Sequence, residues 1–144
     1  MVSALLIFAT VGIVSADDPS VGTWKINIEK SKLQDPARWK GGTSTVTLVK
    51  EGTYHYTWSY ADGRKTEETR IYDGKERPDG EKGITQIDES KNLFHHRTIV
   101  KRDGKQIASI EGTISPDGKT KTVVAKGVDA NGQPWEEIRV WEKE

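Results

Sequence analysis

Residues 53–74 read TYHYTWSYADGRKTEETRIYDG. An aromatic ring stands at every second position from Tyr54 through Tyr56 and Trp58 to Tyr60, with His55, Thr57 and Ser59 between them. A period of two is the mark of a β-strand, because successive side chains point to opposite faces. Asp62-Gly63 follows, and the pair supplies the positive φ that a tight hairpin turn needs. A second strand-like run, 64–72, then ends on Asp73-Gly74. The stretch reads as strand, turn, strand, turn.

The same punctuation recurs along the chain. Asp-Gly stands again at 79–80, 103–104 and 117–118, and Asn-Gly at 131–132. Between the turns lie runs rich in Val, Ile, Thr and aromatics at 22–28, 43–50, 53–60, 64–72, 83–88, 92–101, 105–114, 119–128 and 135–142. Helix has one poor candidate, SKLQDPARWK at 31–40, which Pro36 interrupts; the expectation there is a short turn of helix or a loop across one end of the barrel. The fold class is therefore all-β: an antiparallel up-and-down meander. A long meander leaves two edge strands unless the first meets the last. GTWKINI and WEEIRVWE are both apolar enough to pair inside the protein. The expectation is a closed barrel of about eight or nine strands.

The first sixteen residues, MVSALLIFATVGIVSA, carry no charged side chain and end on small residues at Val14-Ser15-Ala16. They read as a cleaved signal peptide with a weak positive start, and about 13 apolar residues are too few to span a bilayer. Residues 17–144 form the single domain, expected to be secreted or periplasmic. Its 22 basic and 22 acidic residues balance, so no long-range field draws in nucleic acid or an anionic membrane. The chain has no cysteine, which removes thiol chemistry and leaves an exported domain held by its core alone. A monomer is expected.

Burial energetics turns the ring face of 53–60 inward, since rings bury the most apolar area. Those rings either fill the core or line a pocket. On 92–101 the face with Phe94, His96, Thr98 and Val100 is the better interior, which brings His96 inward. On the last strand Trp135, Glu137, Arg139 and Trp141 share a face. If that face is interior, Glu137 and Arg139 must be paired, because unpaired burial is costly; otherwise it is a mixed outer face.

The residues offer little reactive chemistry. His95 and His96 are adjacent on a strand and point to opposite faces, so with His55 they cannot build one metal centre; no metal and no cofactor are expected. No nucleophile motif or phosphate loop is present.

Gly22-Thr23-Trp24 opens the first strand, and it resembles the Gly-x-Trp that begins the first strand of lipocalins. With KGVDANGQPWEEIRVWEK near the end, the chain resembles small secreted bacterial lipocalin-like (calycin-like) barrel proteins, most without an assigned activity. The resemblance implies structural roles for Gly22 and Trp24, and an arginine near the end of the last strand packed over that tryptophan, a place that Arg139 suits. The lipocalin disulfide is missing. The reading is an exported binding protein for a small hydrophobic or aromatic molecule in the barrel, contacted by Tyr54, Tyr56, Trp58, His96, Trp135 and Arg139. Two alternatives are a barrel isomerase, cyclase or hydrolase using a histidine with Glu137, and a glycan-binding module with its rings outward.

Overall fold

A computed structural model of the protein describes residues 18–144; the expected signal peptide lies outside the described residues. Ten strands form one antiparallel sheet. They are β1 (Gly22–Ile26), β2 (Thr43–Lys50), β3 (Thr53–Ser59), β4 (Lys65–Ile71), β5 (Glu76–Pro78), β6 (Ile84–Asn92), β7 (His95–Arg102), β8 (Lys105–Ile114), β9 (Thr120–Val128) and β10 (Pro134–Lys143).

The strand order is β4-β3-β2-β1-β10-β9-β8-β7-β6-β5. Sequence neighbours pair throughout, apart from two seams. At the first, β1 pairs with β10, with Trp24 opposite Lys143 and Ile26 opposite Trp141. This is the expected closure of the chain's outer strands. At the second, β4 and β5 are consecutive but share no ladder, and β5 pairs only with β6. The barrel is closed by main chain on one side and open on the other.

The nine sequence-predicted strands become ten because β5 is three residues long, held between Asp73-Gly74 and Asp79-Gly80. It has no room for an alternating apolar run, and Pro78 fits only an edge. The strand expected at 83–88 runs on to Asn92, past a register shift between Ser90 and Asn92. Its turn has no glycine; Asn92 Oδ1 accepts the Phe94 N–H at 2.8 Å instead. The Asp-Gly turns do take positive φ at glycine. In three of them the aspartate Oδ1 also accepts the N–H two residues on, at 3.0 Å for Asp62, Asp73 and Asp117.

Pro36 starts a helix rather than breaking one. The four-residue α1 (Pro36–Trp39) has proline in its first turn, where the missing N–H costs nothing, and Asp35 caps it by accepting from Arg38 N at 3.3 Å. The helix drops Trp39 into the barrel, edge-on to Trp141 at 5.7 Å and tilted against Tyr60 at 5.4 Å.

The core cluster comprises Trp24, Ile26, Trp39, Val46, Tyr54, Ile114 and Trp141. Trp24 is fully buried and its Nε1 donates to Ser20 O at 3.0 Å. Gly22 sits at φ +132°, where a side chain would be strained and a Cβ would crowd Lys143 Cε at 3.3 Å. The structure corrects the expected partner of Trp24. Lys121 and Lys143 lie over its ring, at 4.7 and 4.9 Å from the centroid, and Arg139 lies over Trp39 at 5.1 Å. The reason is register. Lys143 is opposite Trp24, and Arg139 stands four residues back along β10, roughly 13 Å away at ~3.3 Å per residue.

Candidate functional site

Alternation along the strands turns one side chain in two toward the barrel axis. Those side chains enclose a cavity of ≈ 110 Å³. A single buried water needs only ~10–15 Å³, so the cavity has room for more than one solvent molecule. The wall combines apolar groups such as Val46, Trp58, Ile110 and Trp141 with Tyr56, Tyr72, His96 and Thr98. It also carries three basic side chains, Arg70, Lys121 and Arg139, and none of its described lining residues is a carboxylate.

The ring face of β3 points inward, as burial predicts. Trp58 and Tyr56 stack at 5.4 Å and 9° on the cavity wall, and Tyr56 Oη shares a 2.9 Å hydrogen bond with Tyr72 Oη. Burial raises the hydroxyl pKa of both tyrosines, so they stay neutral. Tyr54 is buried beside the cavity rather than on its wall. It donates to Asp18 Oδ2 at 2.5 Å and meets His96 edge-on at 5.8 Å. His55 is on the outer face, where its Nδ1 is 3.1 Å from Thr69 Oγ1.

His96 lines the cavity, with its ring 4.7 Å from Tyr72 and neither nitrogen hydrogen-bonded. Burial lowers its pKa, and the Asp18 carboxylate only partly opposes that. His95 points the other way, 3.3 Å from Glu111. Among the described residues, no cluster of three or more His, Asp or Glu is placed to hold a metal ion.

On β10, Arg139 faces the cavity and pairs with Glu137, Nε to Oε1 at 3.0 Å. The contact lacks hydrogen-bond alignment, which leaves Nε buried without an acceptor. Glu137 shares the inward face of β10 with Arg139 without lining the cavity, and it also accepts from Gln34 N at 3.1 Å. Trp135 does not join the cavity. It sits near the start of β10 opposite Gly127 and lines a separate shallow groove with Ile107, Lys126 and Pro134.

The sequence reading missed Arg70, Lys121, Tyr72 and Trp141 as wall residues. Arg70 reaches across the open seam. Its Nη1 donates to Thr98 Oγ1 on β7 at 3.1 Å and is 3.6 Å from Asp88 Oδ1 on β6. Its Nε bonds to Glu68 on its own strand. Asp88 is buried and also accepts from Thr98 Oγ1 at 2.5 Å and Gln86 Nε2 at 2.7 Å. Burial opposes the charge of Arg70, and the Glu68 and Asp88 carboxylates outweigh it, so its pKa is raised.

Lys121 on β9 is opposite Ile114 and Trp141. Its Nζ is 4.7 Å from the Trp24 ring centroid and 5.7 Å from that of Trp141. Hairpin register was the available signal for both cations. Counting across Asp62-Gly63 sets Arg70 opposite Tyr54, and counting across Asp117-Gly118 sets Lys121 opposite Ile114.

No family model matches the chain, and no curated protein matches it significantly. Solved structures do. The wild-type fluorescent protein UnaG aligns with a TM-score of 0.63 at 14% identity, over 88% of this chain and 98% of its own. The zebrafish ileal bile acid-binding protein complexed with cholic acid aligns with a TM-score of 0.60 at 14% identity, over 88% of this chain and 99% of its own. At that identity the likeness establishes the lipocalin-like barrel fold.

Proposed function

We propose that this chain is an exported, monomeric binding protein that holds a small amphipathic anion in its barrel: a compact apolar body ending in a carboxylate. The observation that carries this reading is the asymmetry of the cavity. Arg70, Lys121 and Arg139 line its wall, while Glu68, Asp88 and Glu137, on the same inward faces, are tied to the two arginines and do not line it. An incoming carboxylate would complete the bonding of the buried Arg139 guanidinium, whose Nε has only a misaligned contact with Glu137, and charge-assisted bonds of this kind are among the stronger ones available. Trp58, Ile110 and Trp141 supply apolar wall for the body. The zebrafish neighbour is complexed with cholic acid, itself a carboxylic acid, although ≈ 110 Å³ suits a much smaller ligand. Export rests on residues 1–16.

The alternatives fit less well. Acid–base catalysis by His96 with Glu137 needs both in the cavity, and Glu137, tied to Arg139 and Gln34, is not on its wall. A glycan platform needs an outward ring face, and Tyr54, Tyr56 and Trp58 turn inward.

Calorimetric titration with 3-phenylpropanoate and with 3-phenylpropanol tests the reading. The carboxylate should bind about tenfold tighter or more, and Arg139→Met should remove that preference. Equal affinity for the acid and the alcohol would defeat it.

A further inference from the structure

Lys121 is placed unlike a lysine that serves solubility. Its strand register turns it inward opposite Ile114 and Trp141. Its amine lies 4.7 Å from the Trp24 ring centroid and 5.7 Å from that of Trp141, and Lys121 and Trp141 both line the cavity. Among the described residues, no carboxylate lies within ion-pair distance of it. The charged or titratable groups near it are Arg139 and Lys143 on β10 and His96 on β7. A primary amine that is enclosed by protein, lacks a counter-ion and has cationic neighbours is favoured in its neutral, nucleophilic form.

We infer that Lys121 is a covalent anchor: its Nζ adds to the carbonyl carbon of a small apolar aldehyde in the cavity and holds it as an imine. The nitrogen lone pair forms the C–N bond, and the carbonyl oxygen takes up a proton to give a carbinolamine. That hydroxyl leaves as water while nitrogen gives up its protons, so amine plus aldehyde becomes imine plus water. No oxidant, reductant or metal is consumed. The unpaired ring nitrogens of His96 line the same cavity and can carry the proton from nitrogen to the departing hydroxyl.

The energetics agree with the geometry. Burial first, then the charges of Arg139 and Lys143, lower the amine's pKa to about 7. The tryptophan faces act the other way, favouring the ammonium. An ordinary lysine, with a pKa of ~10.4, is about 0.04% neutral at pH 7. Lys121 therefore holds far more free amine at that pH than any solvated lysine.

The inference rests on the proposed function only in needing the cavity to admit a small apolar molecule. The test treats the full chain at pH 7 with cinnamaldehyde and sodium cyanoborohydride, followed by peptide mapping. Lys121 should label at least tenfold faster than exposed lysines such as Lys30. Its labelling should pass through half of its maximum near pH 7 and level off above it, while theirs climbs toward pH 10. Lys121→Met should abolish the fast label, and the pH profile of the unaltered protein tests the same point without a variant. Label spread evenly over surface lysines would overturn the inference. Titration with 3-phenylpropanoate runs alongside. Carboxylate binding without the fast label defeats the anchor alone. The fast label without carboxylate binding defeats the anion reading alone.

Discussion

The barrel has two seams, and they are held by different physics. At the β1–β10 seam the ladder continues through the main chain. Asn27 N donates to Val140 O at 2.8 Å, Glu144 N donates to Thr23 O at 2.9 Å, and Trp24 and Trp141 fill the space behind. At the β4–β5 seam no ladder forms; Arg70 spans the gap to Thr98 and Asp88, and Arg77 on β5 donates to Ile71 O on β4 at 3.5 Å. A main-chain seam tolerates many sequences, because every residue but proline carries the same donor and acceptor. A side-chain seam depends on particular groups, and once broken it leaves a buried charge.

The largest expected effect is at the closed seam. Trp24→Ala removes a fully buried ring and should cost about 3–5 kcal/mol, measured by urea unfolding. A loss below about 1 kcal/mol would mean that the ladder alone holds this seam. Arg70→Leu comes next, at about 3 kcal/mol, because it strands Asp88. Replacing both Arg70 and Asp88 by leucine should recover a good part of that loss. If the double variant is no better than the single one, the open seam is not stitched by this pair.

The smallest effect concerns the segment that leads into the closed seam, where Asp18 receives bonds from Ser20 and Tyr54. Burial raises its pKa, but those bonds outweigh burial and the net shift is downward. A depressed carboxylate stabilises the fold above its unfolded pKa and loses that contribution as pH falls through the folded one. Asp18→Asn should therefore be less stable at neutral pH, and the two proteins should converge below the ordinary value of 3.8. Melting curves from pH 7 to pH 2 check this; a gap that persists in acid would place the cause elsewhere.

Much of the fold was legible because turns are local. Asp-Gly pairs set positive φ wherever they stand, and alternation fixed the inward faces of β3 and β7. What misled the reading was also local in cause. β5 is too short to alternate. The turn at Leu93-Phe94 has no glycine. The cavity was legible in part. The rings, His96 and Arg139 were found as inward candidates, while Trp135 was included because parity says nothing about depth along the axis. Arg70 and Lys121 lie in polar runs, TEETR and KTKT, that look like solvated surface unless the hairpin register is carried across from the facing strand.

By itself, the sequence determined an antiparallel meander whose first and last strands pair, since turn chemistry and side-chain parity act over a few residues. Tertiary structure alone decided that the barrel is open between β4 and β5, that Arg70 bridges the opening, and that Lys121 rather than Arg139 meets Trp24. Those outcomes depend on how far each side chain lies along the barrel axis and on what faces it from strands distant in the chain. Distance and burial of that kind are set only when all ten strands are in place.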